Sequence, residues 1–306
     1  MATNPMLWQV AIVGYGEVGR ILAEDLRARQ VQVTAFDIKL RSEAGEPMRE
    51  HALRHGVVLA ESHQQAVELA ELVISAVTAS QTEAVAQACA PGLPTGCYFL
   101  DFNSASPGSK IRAAEFVDGV GGRYVEGAVM TSVPPHRIQV PLLLGGPEAA
   151  DLMPLINALG FASQVSSERL GVASATKMCR SVMIKGLEAM VIESFTTARA
   201  YGVEDAVIAS LYETFPGIDW EKQGAYFFQR VIEHGRRRSE EVREVAETVR
   251  EIGLEPWSAQ GTADRQAWIA NLADDGLFGR RGGTGFARSP DWRTEADRLL
   301  AHVKTK

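Results

Sequence analysis

The most specific pattern in this sequence is QVAIVGYGEVGRILAEDLRARQVQVTAFD, which occupies residues 9 to 37. It begins with a short apolar run rich in β-branched side chains, which predicts a buried strand. From Val18 onward the apolar side chains recur at helical spacing, which predicts an amphipathic helix after the glycines. A second apolar run, residues 31 to 36, predicts another strand and ends directly before Asp37. The pattern therefore indicates a strand–helix–strand unit.

The glycines between the first strand and the helix have separate physical roles in such a unit. Gly14 permits the tight turn, Gly16 lets a pyrophosphate approach the backbone, and Gly19 lets the helix pack closely on the strand. The helix N-terminus offers unpaired N–H groups to the phosphates. Asp37 stands where a carboxylate can bond the ribose hydroxyls of NAD and repel a 2′-phosphate. A turn that binds no nucleotide is the alternative. The chain nevertheless carries the strand, the helix, the second strand and the acid at the expected spacing, which favours binding of NAD, in preference to NADP.

Composition and charge narrow the class of protein. The chain has 306 residues, of which 46% are hydrophobic and 23% charged, as in soluble globular proteins with about two domains. The net charge of −7 argues against nucleic acid or an anionic membrane as the main partner. No apolar run is long enough to span a bilayer, and residues 1 to 8 lack a signal pattern. We expect a cytoplasmic protein whose cysteines, Cys89, Cys97 and Cys179, are small core residues.

Two histidines have a spacing that would suit metal ligands. His51 and His55 are one helical turn apart, a spacing that a metal ion could use. Neither a carboxylate nor a cysteine partner is evident near them in the sequence. A solvated helix face is therefore the favoured interpretation, and no metal is predicted.

The rest of the chain predicts two domains. Strands alternate with helices up to residue 144, which indicates an α/β fold with a doubly wound, mostly parallel sheet. From Glu168 a long helical pattern continues to Ala200, and everything after it reads as helical. We expect a Rossmann-type NAD-binding domain over residues 1–167 and an all-helical substrate and dimerisation domain over residues 168–306, entered by the long interdomain helix.

Two details of the helical part are also predicted. Gly235 falls where a helix C-terminal cap belongs, so separate helices are expected over residues 220–233 and 239–252. The tail from Gly276 onward is expected to lie on the surface, with a short final helix.

The long helix carries a candidate for acid–base chemistry. Lys177 and Ser181 are four residues apart and therefore share one helix face, which Lys185 continues. A lysine among small and apolar residues is poorly solvated, which lowers its pKa toward the range useful for proton transfer. An exposed lysine on an amphipathic helix is the open alternative.

At these residues the chain resembles the β-hydroxyacid dehydrogenases, a family that includes the 6-phosphogluconate and 3-hydroxyisobutyrate dehydrogenases. Residues 14–19 resemble its cofactor loop, and residues 101–107, DFNSASP, resemble its Asp-x-Ser-Thr-x-x-Pro substrate segment. Residues 171–181, GVASATKMCRS, are similar to its Gly-x-Gly-x-x-x-Lys-x-x-x-Asn motif, whose lysine matches Lys177. The resemblance implies that Lys177 is the general acid/base and that the helical domain forms a homodimer. Residues 174–186 look most like a branch with a phosphogluconate-dehydrogenase-like C-terminal domain.

The chain departs from the family where the substrate should bind. The family's Asp-x-Pro-x-Ser-Gly-Gly loop corresponds to residues 126–132, EGAVMTS. Met130 replaces a hydroxyl there, while Thr131 and Ser132 replace glycines that allow close backbone approach. The catalytic asparagine corresponds to Ser181, a shorter partner for a substrate hydroxyl. The resemblance therefore implies that hydride transfer is kept and the substrate pocket is altered.

Together these observations predict an NAD-dependent dehydrogenase that oxidises the hydroxyl of a β-hydroxy-acid-like substrate to a carbonyl, with Lys177 as general acid/base. The expected cofactor-binding residues are Gly14, Tyr15, Gly16, Glu17, Val18, Gly19, Asp37, Val77, Thr78 and Ser104. The expected substrate-binding residues are Asn103, Ser104, Met130, Thr131, Ser132, Ser181 and Lys185.

The substrate itself stays open, including whether it carries a carboxylate. One rival is an imine or ketone reductase of the same architecture; imine reductases typically lack the lysine. The other rival is a non-catalytic dinucleotide-sensing protein.

Overall fold

The computed structural model describes residues 4–286, 289 and 291–304. The chain divides into two compact units, residues 1–178 and 179–306. The division falls within one long helix. Each unit has its own buried core, and the two are described in turn.

The first unit is built on one sheet, which has eight strands within the described residues. Its order is β3-β2-β1-β4-β5-β6-β7-β8, and every neighbouring pair is parallel except β6 with β7. The strands are β1 Gln9–Val13, β2 Gln32–Phe36, β3 Val58–Leu59, β4 Leu72–Ser75, β5 Tyr98–Asp101, β6 Arg123–Val129, β7 Pro141–Gly145 and β8 Ala162–Ser167. The predicted doubly wound, mostly parallel sheet is confirmed.

Helices cover both faces of this sheet. They are α1 Glu17–Ala28, α2 Glu46–His55, α3 His63–Val67, α4 Thr82–Cys89, α5 Pro107–Asp118, α6 Val133–His136 and α7 Ala149–Ala158. Leu22 of α1 and Ile156 of α7 lie in one buried apolar cluster, whereas Val85 of α4 and Val117 of α5 lie in another. Strands that are buried on both faces need an apolar cluster on each side of the sheet, and these two clusters meet that need.

Helix α7 and strand β8, the last part of this unit, are not among the elements predicted from the sequence. Most side chains of β8 are exposed, and its sequence ASQVSS is polar. In the part of the chain that the structure describes, β8 pairs only with β7 and forms the edge of the sheet. An edge strand with a solvated surface has no apolar alternation for a sequence pattern to detect.

Within the described residues, the regular secondary structure of the second unit consists of helices. The long helix is α8 Val172–Tyr201, and it is followed by α9 Glu204–Thr214, α10 Trp220–Glu251, α11 Trp257–Asp274 and α12 Trp292–Lys304. Phe195, Phe228, Ile269 and Trp292 are completely or almost completely buried in its core. The predicted helical C-terminal region is confirmed, and within the described residues no helix is long and apolar enough to cross a membrane.

The prediction of two helices around Gly235 is wrong, because α10 runs through this residue without a break. Gly235 is buried against α11, and a Cβ atom there would lie 2.8 Å from the backbone oxygen of Gln266. The glycine therefore permits close helix packing and does not end a helix.

The expectation that the tail lies on the surface is also wrong. Phe278, Phe286, Trp292 and Leu299 are buried in the helical core. Of the cysteines, Cys89 and Cys97 are buried as expected, whereas Cys179 is exposed.

Candidate active site

The glycine loop after β1 has the tight geometry that its spacing predicts. Gly14 has a φ of +94°, and a Cβ atom there would lie 2.4 Å from the backbone oxygen of Ala76. A Cβ atom on Gly19 would lie 2.1 Å from the backbone oxygen of Gly14. Any side chain at either position would collide with backbone, so both residues must be glycine for the turn to close and for α1 to pack.

The space in front of α1 suits an anionic group. Gly16 is the N-cap of α1, without a side-chain capping bond, and a Cβ atom there would meet no heavy atom within 4 Å. The N-terminal N–H groups of a helix carry partial positive charge and bind phosphates well. Of the next residues, Glu17 is exposed and Val18 is half-buried. The loop therefore fits the pyrophosphate of a dinucleotide.

Asp37 is held rigidly at the carboxyl end of β2. Its Oδ2 accepts a hydrogen bond from the backbone N–H of Tyr15 (2.9 Å), and its Oδ1 accepts one from the backbone N–H of Lys39 (2.9 Å). The carboxylate thus joins the second strand to the glycine loop. Tyr15 contributes its backbone to this loop, because its side chain is fully buried.

Asn103 ties together the loops that follow β4 and β5. Its Oδ1 accepts a hydrogen bond from the N–H of Val77 (2.7 Å), and its Nδ2 donates to Ser75 Oγ (3.0 Å). Thr78 is exposed directly after Val77. These contacts hold the strand ends in position, at the edge where sheets of this kind bind ligands. Direct contact of Asn103 with a substrate stays a prediction.

Lys177 and Ser104 are brought together although they are far apart in the sequence. The Nζ of Lys177 donates a hydrogen bond to Ser104 Oγ at 2.5 Å. Ser104 follows β5, and Lys177 lies in the second turn of α8. An amine beside a hydroxyl at the carboxyl edge of the sheet can exchange a proton with a bound alcohol.

Glu126 anchors the helix that carries Lys177, a role that the sequence analysis missed. This fully buried carboxylate accepts hydrogen bonds from the backbone N–H of Ala173 (3.0 Å) and from Ser174 Oγ (2.7 Å). A carboxylate is favoured at a helix N-terminus because of the positive end of the helix dipole. Since Glu126 precedes the helix by more than forty residues, no local pattern could reveal the pairing.

A second buried group fixes the end of β5, from which the Ser104 loop begins. Lys110 Nζ lies 2.9 Å from Asp101 Oδ1, and both side chains are 1% exposed. Tyr124 donates its hydroxyl hydrogen to Asp101 Oδ2 (2.5 Å). Burial and the neighbouring Asp101 carboxylate raise the pKa of Tyr124 well above its usual value. The sequence signal for this buried ion pair is a lysine on the face of a helix that packs against the sheet.

The altered loop after β6 lies next to the sheet. The backbone N–H of Met130 donates to the oxygen of Pro141 (2.9 Å) and so continues the β6–β7 pairing. Thr131 is exposed, and Ser132 is half-buried at the start of α6. Their contact with a substrate stays a prediction.

The remaining predicted substrate residues, Ser181 and Lys185, are buried in the helical unit. Lys185 Nζ donates to Glu241 Oε2 at 2.6 Å. Burial lowers the pKa of Lys185, and the adjacent Glu241 carboxylate opposes that shift. Arg238 pairs with the buried Glu188 in the same region. The charge of Lys185 is therefore balanced within its own unit, and a role toward substrate stays a prediction.

The sheet, the glycine loop and the acid after β2 define a Rossmann-type, NAD(P)-binding protein. Two family models match the chain: the NAD-binding domain of 6-phosphogluconate dehydrogenase over residues 9–160, and a domain of unknown function, DUF1932, over residues 198–269. The chain belongs to the β-hydroxyacid dehydrogenase family of NAD(P)-dependent oxidoreductases, which act on CH–OH groups.

Individual relatives are similar to this chain over most of its length. A conserved hypothetical protein from Sinorhizobium meliloti is 34% identical, with 97% of this chain and 96% of that chain covered and a TM-score of 0.78. An uncharacterized 28.5 kDa protein from Methanothermus fervidus is 27% identical and covers 81% of this chain and 93% of its own. The Mycobacterium tuberculosis 3-hydroxyisobutyrate dehydrogenase, solved with L-serine, is 15% identical (96% and 99% covered, TM-score 0.67), which shows a shared fold alone.

Proposed function

We propose that this protein is an NAD-dependent dehydrogenase that oxidises the hydroxyl of a β-hydroxy-acid-like substrate to a carbonyl, with Lys177 as general acid/base. The observation that carries the proposal is the 2.5 Å hydrogen bond from Lys177 Nζ to Ser104 Oγ at the carboxyl edge of the sheet. The resemblance of residues 101–107 and 171–181 to the substrate and lysine motifs of the β-hydroxyacid dehydrogenases supports the substrate class.

The proposed chemistry assigns the proton to Lys177. NAD held by the glycine loop and Asp37 would supply the acceptor for the hydride of the carbinol carbon. As the carbon–hydrogen bond breaks, neutral Lys177 takes the hydroxyl proton, and in the reverse direction its ammonium group returns that proton to the carbonyl oxygen.

Ser104 is suited to hold the substrate hydroxyl next to this amine. A serine hydroxyl can accept one hydrogen bond and donate another at the same time. While Ser104 Oγ accepts from Lys177 Nζ, its own hydrogen is free to point at a substrate oxygen. Glu126 is a positioning residue in this proposal, because it holds the first turn of α8 and not the reacting atoms.

The basic experiment is to measure NADH formation from NAD across a panel of hydroxy acids and simple alcohols. Turnover of a hydroxy acid supports the proposal. Turnover of imines or plain ketones alone, in the presence of NADH, would favour the reductase alternative. Saturable dinucleotide binding without turnover on any member of the panel would favour a dinucleotide-sensing protein. The rise in unfolding temperature of the NADH-bound protein ranks the members of the panel by affinity, because a ligand at a hundred times its Kd adds about 2.7 kcal/mol of stability.

We expect NAD to be preferred over NADP because of Asp37. Its carboxylate is fixed by the N–H groups of Tyr15 and Lys39, so it cannot turn away from a 2′-phosphate without losing both hydrogen bonds. Asp37→Asn should shift the ratio of kcat/KM values for NAD and NADP toward NADP by about tenfold, the equivalent of ~1.4 kcal/mol of relieved repulsion. The exposed Glu43→Gln is the matched control. A wild-type protein that prefers NADP would contradict the role of Asp37.

We also propose that residues 168–306 serve as the substrate and dimerisation domain. The helical unit has an open cavity of about 820 Å³ along α8 and α11, lined mainly by apolar side chains. Met183, Met190, Tyr201 and Trp257 line it with between 61% and 81% of their surface exposed. A contiguous apolar surface of this kind is rarely left in water by a soluble monomer. A second copy of this chain is the proposed occupant.

Light scattering at low micromolar concentration should therefore return about twice the chain mass of 33.2 kDa. The double variant Met190→Lys, Trp257→Lys should be monomeric, because two buried charges oppose the interface. Leu69→Lys, at a residue 74% exposed in the other unit, is the control and should leave the dimer intact. A wild-type mass near 33.2 kDa would overturn the proposal.

A further inference from the structure

One cluster of donor atoms in the NAD-binding unit plays no part in the proposed reaction. Glu24 on α1 faces His51 and His55 on α2. His51 Nε2 lies 2.9 Å from Glu24 Oε1, and His55 Nε2 lies 3.9 Å from the same oxygen. The three donor atoms all lie within 4.8 Å of one another. The expectation of a solvated helix face is wrong for His51, which is 9% exposed.

The distances suit a small divalent metal ion. With metal–ligand bonds of about 2.0 Å, tetrahedral ligands stand roughly 3.3 Å apart. The observed separations, from 2.9 Å up to the 4.8 Å limit, include that value, so small side-chain rotations would close the site. Two imidazoles and one carboxylate form a ligand set that zinc prefers in sites that keep an open position. The side chains of Glu24 and His55 are 29% and 31% exposed, which leaves an entry path and room for a water ligand.

The surroundings hold two of the ligands in position. The hydroxyl of Tyr15 lies 2.8 Å from His51 Nδ1, on the ring nitrogen opposite the cluster. Arg137 Nη2 donates to Glu24 Oε2 at 2.5 Å, which leaves Oε1 directed at the histidines. Hydrogen bonds of this kind to the far side of a ligand fix its ring orientation and its tautomer.

Binding of an ion would move the proton of His51 from one ring nitrogen to the other and turn the hydroxyl of Tyr15. Without an ion, a carboxylate can only accept, so Nε2–H donates to Glu24 and the hydroxyl of Tyr15 donates to Nδ1. With an ion on Nε2, the proton would sit on Nδ1 and be donated to the Tyr15 oxygen, whose own hydrogen would rotate away from the ring.

From this geometry we propose that Glu24, His51 and His55 form a binding site for a divalent transition-metal ion, with zinc as the best match. The ion would join α1 to α2 behind the glycine loop, since Tyr15 belongs to that loop and contacts His51. None of its ligands is among the residues assigned to hydride or proton transfer, so the ion would fix α1 against α2 and take no part in that reaction.

The test is a titration of the metal-free, full-length protein with Co²⁺, whose visible absorption becomes intense in tetrahedral nitrogen and oxygen sites. We expect saturation at one ion per chain. His55→Gln should weaken binding by about 100-fold or more, since loss of a residue that only hydrogen-bonds to a ligand already costs about 10–100-fold. Glu24→Gln should weaken it similarly. The exposed His234→Gln, on α10 in the helical unit, is the matched control and should bind as the wild type does.

His55 is the more informative position, because its half-exposed side chain can be replaced while the hydrogen bonds of His51 to Tyr15 and Glu24 are kept, and the change removes only the stacking of the two imidazole rings (centroids 4.4 Å apart). Zn²⁺ should raise the thermal unfolding temperature of the wild type and of His234→Gln, but not of His55→Gln. Absence of saturable Co²⁺ binding in the wild type, or unchanged binding in His55→Gln, would overturn the proposal. Neither measurement depends on turnover, so its failure is distinct from failure of the proposed dehydrogenase activity.

Discussion

Replacing Lys177 with alanine should lower kcat by about 10²–10⁴-fold, the usual contribution of a positioned general acid or base. The pyrophosphate and ribose contacts proposed for NADH involve the glycine loop and Asp37, not this lysine. NADH should therefore bind Lys177→Ala nearly as tightly as it binds the wild type. Steady-state kinetics and fluorescence titration with NADH measure the two quantities separately.

Two conservative variants sharpen this prediction. Lys177→Arg should lower kcat almost as much as Lys177→Ala does, because a guanidinium does not give up its proton near neutral pH. Ser104→Ala removes the acceptor that holds Lys177 Nζ but leaves the amine, so its effect on kcat should be smaller. Ser181→Ala should also lower kcat less than Lys177→Ala does, because the loss of one hydrogen bond costs about 0.5–1.5 kcal/mol.

The exposed Lys222→Ala on α10 is the matched control for removing a lysine and should retain wild-type kinetics. The pattern of constants decides the role of Lys177. If Lys177→Ala kept a nearly normal kcat and raised only KM, the lysine would anchor the substrate, and the proposed proton transfer would be wrong.

The second large effect should be on stability. Lys110→Met should lower the free energy of unfolding of the NAD-binding unit by about 3–5 kcal/mol, the usual result of removing one partner from a buried ion pair. Asp101 would stay 1% exposed without the cation that now pairs with it. The hydrogen bonds that its carboxylate accepts from the Tyr124 hydroxyl and the Asn103 N–H would remain.

Because the chain has two units, unfolding should be followed by amide hydrogen exchange in strands β4 to β6 and not by a single global signal. Lys39→Met, at an exposed lysine of the same unit, is the control and should change stability by less than about 0.5 kcal/mol.

A double variant distinguishes a lost charge pair from lost packing. If the uncompensated carboxylate is the cause, Lys110→Met with Asp101→Asn should be more stable than Lys110→Met alone. Equal or greater destabilisation in the double variant would mean that the lysine stem, not its charge, supports the fold.

The local pattern of the sequence was sufficient to predict the elements that are proposed to position the dinucleotide. The strand from Gln9, the glycine turn, helix α1 and Asp37 all follow from residue types at short spacing. The reason is that periodic burial and turn geometry depend on neighbours within a few residues. Where that condition fails, the prediction fails: the polar edge strand β8 carries no periodicity, and Gly235 serves contact with a distant helix.

The contacts that place the reactive groups depend on segments far apart in the chain. Ser104 meets Lys177, Glu126 caps α8 through Ala173, and Glu24 reaches His51, all across more than twenty residues. Each pairing exists because parallel strands end at one edge of the sheet and helices pack beside one another on its face. A polar side chain gives no sign in the sequence of which distant partner satisfies it, so these assignments required the folded arrangement.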